Sequence, residues 1–368
     1  MSLMHSVMWG GVAFGLTAVI VRLSDPLARR VGLVDHPVGR KDHEVATPAT
    51  GGAAMLLAIL TCGALAFDSP GQASLGFALS ATMLVVTGML DDRYDLSWWV
   101  RILVQISAAL VLIYWGDARI ENLGRMFGVQ IDSIGIWSVP FTVFAVVGAI
   151  NAVNMADGID GLAGLLVLCC LALFEIEAIH VGNAMLAEQV PILIGAVGGF
   201  LLLNMRWPWR GRARVFMGNS GSAMLGLVVA CCVIRLTQHP QQHMYPVLAL
   251  WLLPVPLIDC LALMLHRLRS RRSPFHPDHN HVHHLMRDAG FSPAFSALWL
   301  AAFSILCWLA VHLALRAGVP PVLPFCAFVC LCFAWYWLTA RRTRAVGMFC
   351  ALRRPAGKAK ETVTPPIT

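Results

Sequence analysis

Apolar residues recur along this chain in long blocks, and short polar stretches interrupt them at nearly regular intervals. The blocks lie near 4–23, 50–67, 73–90, 99–116, 137–151, 160–180, 186–203, 220–236, 244–265, 294–315 and 319–339. Most have the length of a membrane-crossing helix, about 20 residues rising 1.5 Å each. The pattern predicts an all-α polytopic membrane protein of about eleven transmembrane helices. Residues 1–340 would form one transmembrane domain. The stretch 341–368, basic and then rich in Pro and Thr, reads as a disordered cytoplasmic tail. The first block has no small-residue cleavage site behind it and reads as an anchor.

Composition agrees. The chain is 58% hydrophobic and only 13% charged, about half the charged fraction of a soluble domain. Alternating the loops from an outside N-terminus puts 23 of the 27 Lys and Arg residues inside, leaving Arg119, Arg125, Arg235 and Arg316 outside. Cytoplasmic loops collect Lys and Arg, so the N-terminus is expected in the periplasm and the C-terminus in the cytoplasm. The net charge of +7 suits anionic membrane lipids and calls for no nucleic acid. The cysteines, such as Cys169, Cys170, Cys231 and Cys232, sit mostly in apolar blocks without C-x-x-C spacing, as buried small residues do.

The polar residues able to do chemistry gather on the inside loops. The first loop holds Asp35, His36, Arg40, Lys41, Asp42, His43 and Glu44. Ionisable groups at membrane depth are functional candidates by default, so a cytoplasm-facing site is expected. Asp91, Asp92 and Asp95 close the third block. They either cap a solvated helix end beside Arg93 and Arg101, or hold a hard cation such as Mg²⁺ through carboxylate oxygens. Asn151, Asn154, Asp157 and Asp160 follow at three-residue spacing, which puts them on one face of a helical turn. Capping needs fewer polar groups than this, so a ligand site is favoured. Phe216-Met-Gly-Asn219-Ser-Gly-Ser222 is a small-residue turn entering a helix, suited either to phosphate or to close packing. The loop His276-Pro-Asp278-His279-Asn-His281-Val-His283-His284 can bind zinc, stay solvated, or donate to phosphate oxygens. Phosphate contact is favoured because no thiolate or H-E-x-x-H pattern accompanies it.

Together these stretches resemble the polyprenyl-phosphate N-acetylhexosamine 1-phosphate transferases. The resemblance rests on Val31 to His43, Thr47 to Gly52, Leu90 to Arg93, Asn151 to Leu162, Val215 to Ser222 and Ser273 to Leu285. It implies an inner-membrane enzyme that moves a sugar 1-phosphate from a UDP-N-acetylhexosamine to undecaprenyl phosphate with Mg²⁺, or Mn²⁺ in its place. It also implies catalytic roles for Asp91, Asp92, His281, His283 and His284. Asp35, Lys41, His43, Asn151, Asn154, Asp157, Asp160 and His279 would contact substrate; Asp92, Asn219 and Asn154 would hold the metal. A homodimer is left open. By that resemblance this chain departs from the family at Asn219, where an aspartate is usual, and at His279, where an arginine is usual. The first change predicts weaker Mg²⁺ affinity, or an inactive relative. The peptidoglycan-precursor transferases and, from another class, a transporter are the rival readings.

Overall fold

A computed structural model describes residues 3–35, 46–67, 71–238, 244–271, 273 and 280–353. Each apolar block forms helix. In chain order these are α1 (Leu3–Val31), α2 (Gly51–Ala66), α3 (Gln72–Tyr94), α4 (Trp98–Tyr114), α5 (Ser138–Ala156), α6 (Leu162–His180) and α7 (Ala184–Asn204). Then follow α8 (Gly218–Gln238), α9 (Leu248–Leu252), α10 (Pro254–Arg269), α11 (Val282–Asp288), α12 (Pro293–Arg316), α13 (Val322–Thr339) and α14 (Arg342–Arg353). Eight helices among the described residues are long and apolar enough to cross a membrane, while α2 and α4 are shorter apolar helices. The ninth block is broken at Leu253, ahead of Pro254 and Pro256, into α9 and α10; proline removes a backbone donor and ends a helix before it.

Burial separates the centre of the bundle from its edge. The apolar stretch of α8 is 83% buried and that of α13 only 17%, so α8 is the core and α13 faces outward. Helix α8 is surrounded by α2, α3, α5 and α6, and glycines let the backbones approach. A Cβ on Gly52 would lie 2.3 Å from the Gly221 nitrogen, and one on Gly88 would lie 2.3 Å from the Ser220 Cα. Small residues at membrane-helix crossings permit this contact. It fixes the last turns of α3 against the first turn of α8.

Two short strands, β1 (Val34–Asp35) and β2 (Thr47–Pro48), pair antiparallel behind α1. The Phe216 amide donates to the Pro48 carbonyl and the Gly51 amide to the Phe216 carbonyl. The strands are thereby tied to the loop entering α8, which brings Asp35 to the cavity described below.

The basic stretch after Ala340 does not start as a disordered tail. Arg342–Arg353 is helical and packs on α11 and α13. Ala345 and Phe349, four residues apart on one face, are buried. An apolar stripe at helical spacing outweighs the basic composition. Residues 354–368 lie outside the described residues.

Candidate active site

The C-terminal ends of α3, α5 and α7 and the N-terminal ends of α8 and α12 surround one cavity of about 820 Å³. Asp35, Asp92, Asn154, Asp157, Asp160, Asn219 and His284 all line it, together with Arg206, Arg287 and Arg342. Its size lies within the range of small-molecule sites. Acids and arginines are interleaved in the cavity lining, with Arg206 paired to Asp160 and Arg342 to Asp288.

The adjacent carboxylates at the end of α3 have different surroundings. Asp91 is buried and does not line the cavity. Its Oδ1 accepts from the Leu96 amide at 2.8 Å; its Oδ2 accepts from Arg101 at 3.1 Å and from the Asn219 side-chain amide at 2.8 Å. Asp92 uses Oδ1 to accept from the Asn219 backbone amide at 2.9 Å. Its Oδ2 is buried without a hydrogen-bond partner. That oxygen lies where a Cβ on Gly218 would be only 2.3 Å away. With φ at +70°, Gly218 adopts a conformation that a side chain would strain. An unpaired carboxylate oxygen in a buried position is costly unless a cation or donor joins it.

Asn219 connects this pair to α5. Its side-chain oxygen accepts from the Asn154 amide at 3.3 Å while its own amide donates to Asp91. Asn151 does not reach the cavity; its amide donates to Gln105 at 2.7 Å and to the Val147 carbonyl at 2.8 Å. Asp157 follows α5, and burial, with Asp92 and Asp160 nearby, pushes its carboxyl up to about 7. Asp160 instead accepts from Arg206 Nε at 2.6 Å.

The three histidines contact one another, His281 and His283 stacked and His284 tilted against His283. His281 Nδ1 lies 2.8 Å from Asp259 Oδ2. Asp259 also accepts from the Val282 amide at 3.2 Å and from Trp335 Nε1 at 3.0 Å. A carboxylate acceptor puts the proton on Nδ1 and fixes the ring. His283 stacks on His281 with centroids 5.4 Å apart and is 1% exposed. Burial and the imidazoles of His281 and His284 hold it well below the usual histidine range, so it is neutral. Its ring rests on Gly158, where a Cβ would come within 1.9 Å of Nε2. Of the three, only His284 lines the cavity.

Lys41, His43 and His279 lie outside the described residues. The pairing of Arg101 with Asp91 is one that the sequence offers, but three other contributors escape a reading of it. Asp259 is a lone carboxylate inside an apolar block, a signal in itself. Arg206 registers there only as a loop charge, and Arg342 falls in the stretch that reads as a tail.

Among the described residues no three His, Cys, Asp or Glu side chains converge at metal-ligand spacing. The donors present still fit magnesium, which commonly takes one or two carboxylates and completes its shell with water and substrate phosphates. The unpaired Asp92 oxygen is the best-placed such donor, with Asp157 and Asn154 beside it in the cavity lining. Both ends of the Asn219 side chain are already engaged within the protein.

Residues 74–237 match the profile of glycosyl transferase family 4. Undecaprenyl-phosphate alpha-N-acetylglucosaminyl 1-phosphate transferase from Haemophilus influenzae is 36% identical over 292 residues, covering 79% of this chain and 81% of that protein. The protein of that name from Pasteurella multocida is 35% identical over 343 residues, 93% of this chain and 94% of its own. A third, from Escherichia coli O157:H7, is 36% identical over 294 residues, 78% and 79%. A likeness of this depth, spanning the helices that build the cavity, makes this chain a member of glycosyl transferase family 4.

Proposed function

We propose that this chain transfers N-acetylglucosamine 1-phosphate from its UDP-sugar to undecaprenyl phosphate and releases UMP. The observation that carries the reading is the unpaired, buried Asp92 oxygen in a cavity also lined by Arg206, Arg287 and His284, in a chain 35–36% identical to transferases of that name.

The chemistry sets what the protein must do. A phosphate monoester is mostly dianionic near neutral pH, with a second pKa of about 6, so the lipid phosphate needs little help to become a nucleophile. One of its oxygens forms a bond to the sugar-bearing phosphorus, and the bond from that phosphorus to the UMP oxygen breaks. The obstacle is bringing two anions together, which calls for positioning and charge neutralisation. Asp92, with Asp157 and Asn154, would hold Mg²⁺ or Mn²⁺. When bound, the ion supplies positive charge to the diphosphate and its leaving oxygen. Arg206, Arg287 and His284, which line the same cavity, would donate to phosphate oxygens. Asp91 would act as a positioning residue, since its Arg101 and Asn219 bonds tie the end of α3 to α4 and α8. Asp259 would act likewise, holding His281 and, through ring stacking, the neutral His283 against the Gly158 turn.

The bias of Lys and Arg toward alternate loops supports a bacterial inner-membrane location with this cavity on the cytoplasmic side, where UDP-sugars are available. The test is transfer by the purified full chain in vesicles containing undecaprenyl phosphate, with several UDP-sugars offered separately. Equal amounts of UMP and lipid-linked N-acetylglucosamine are expected. Absence of UMP with every UDP-N-acetylhexosamine would overturn the proposal.

A further inference from the structure

The loop between α7 and α8 carries Arg206, Arg210, Arg212 and Arg214, and the end of α1 carries Arg22 and Arg29. All six line a second cavity of about 780 Å³, whose wall against the first is formed by Asp160, Arg206 and Phe216. Its two aspartates are already paired. Arg29 Nε donates to Asp25 at 3.0 Å, and Arg206 Nε donates to Asp160 at 2.6 Å. Four guanidinium groups are therefore left without a carboxylate among the described residues.

Their surroundings offer little else. Arg210 donates one N–H to the Leu202 carbonyl, but its Nε is buried with no acceptor. Burial lowers the pKa of Arg210, and the charges of Arg214 and Arg22 add to the effect. Among the described residues the side chains of Arg22, Arg212 and Arg214 have no hydrogen-bond or ion-pair partner. Like charges around one concavity repel unless an anion fills it. Guanidinium forks match tetrahedral phosphate with paired N–H donors.

We infer that this second cavity binds a phosphate group, at a site separate from the cavity that contains Asp92. The group comes from an acidic phospholipid headgroup or from a soluble phosphate. The setting is that of a membrane interface: Leu23 and Leu27 are exposed on α1 beside it, and exposed Trp209 stacks on Trp207 at 5.4 Å. Tryptophan and arginine collect at that depth. Arg206 and Asp160 line both cavities, so a bound phosphate competes with Asp160 for Arg206 and couples the two sites. The inference stands independently of the transfer reaction.

The test uses the purified full chain. Phosphatidylglycerol retained from mixed phosphatidylcholine nanodiscs is counted by native mass spectrometry, and inorganic phosphate binding is measured by calorimetry in neutral detergent. Wild type is expected to hold at least one of the two probes. The double variant Arg212→Gln/Arg214→Gln is expected to bind that probe at least tenfold more weakly, as loss of charge-assisted bonds implies. The corresponding double lysine variant retains part of the affinity. Retention of phosphatidylglycerol alone identifies the headgroup as the source, whereas phosphate binding in detergent identifies a soluble one. Failure of wild type to hold either probe overturns the inference. So does equal binding by a glutamine variant with unchanged melting temperature. If the double variant does not fold, Arg22→Gln serves in its place: weaker binding supports the inference, and binding equal to wild type overturns it.

Discussion

Replacing Asn219 with aspartate restores the residue usual in the resembling family, yet in this chain the side chain is part of a closed network. Its amide donates to buried Asp91 at 2.8 Å and its oxygen accepts from Asn154. An aspartate would remove a hydrogen bond to a charged group, about 1.5–3 kcal/mol. It would also set two carboxylates at that distance. Coulomb's law gives about 6 kcal/mol for such a pair at an effective dielectric of 20, an upper bound that relaxation and Arg101 reduce. A net loss of about 3–5 kcal/mol follows for Asn219→Asp without divalent metal. The assay is thermal unfolding of the purified full chain in detergent, in EDTA and across a magnesium titration. The variant should melt roughly 5–10 °C below wild type in EDTA. It should recover more than wild type gains as Mg²⁺ is added, because a cation then separates the carboxylates. A variant that melts at or above wild type in EDTA, or that gains nothing from Mg²⁺, would refute the reasoning.

Two further outcomes follow from the site. Asp157 has its carboxyl raised to about 7, so in metal-free protein its anion is desolvated above that pH and the folded state loses stability as pH rises through about 7. Asp157→Asn should flatten that decline in melting curves taken in EDTA between about pH 4 and pH 8, a window that spans the ordinary carboxylate value and the raised one. Asp259→Asn should weaken the hold on His281 and lower transfer roughly tenfold with little change in KM for the UDP-sugar, as expected for a positioning residue; unchanged kcat would remove it from the account.

The helices are legible in the sequence because a membrane demands long apolar blocks with their backbone bonds closed internally. The site is legible because polar residues at membrane depth are rare and conspicuous. Asp92, Asn154, Asp157, Asp160 and Asn219 stand out that way, and they line one cavity. What cannot be read is how neighbours divide the work. Asp91 and Asp92 are adjacent in sequence, but the helix turns one toward Arg101 and the other toward the cavity. The bonds of Asn219 reach residues 65 and 128 positions away, a separation no local pattern encodes. The helix Arg342–Arg353 has a signal in the spacing of Ala345 and Phe349, which the run of basic residues obscures.

The central claim is that Asp92 brings its unpaired oxygen to a cation-assisted phosphoryl transfer. Its most direct test is transfer of labelled N-acetylglucosamine 1-phosphate to undecaprenyl phosphate by purified wild type and Asp92→Asn, each titrated with Mg²⁺. The account predicts magnesium-dependent transfer by wild type, and a loss of roughly a hundredfold or more in the variant at every Mg²⁺ concentration, as removal of one electrostatic contact to the reacting centre typically causes. Transfer by Asp92→Asn at the wild-type rate, with the same magnesium dependence, would contradict it.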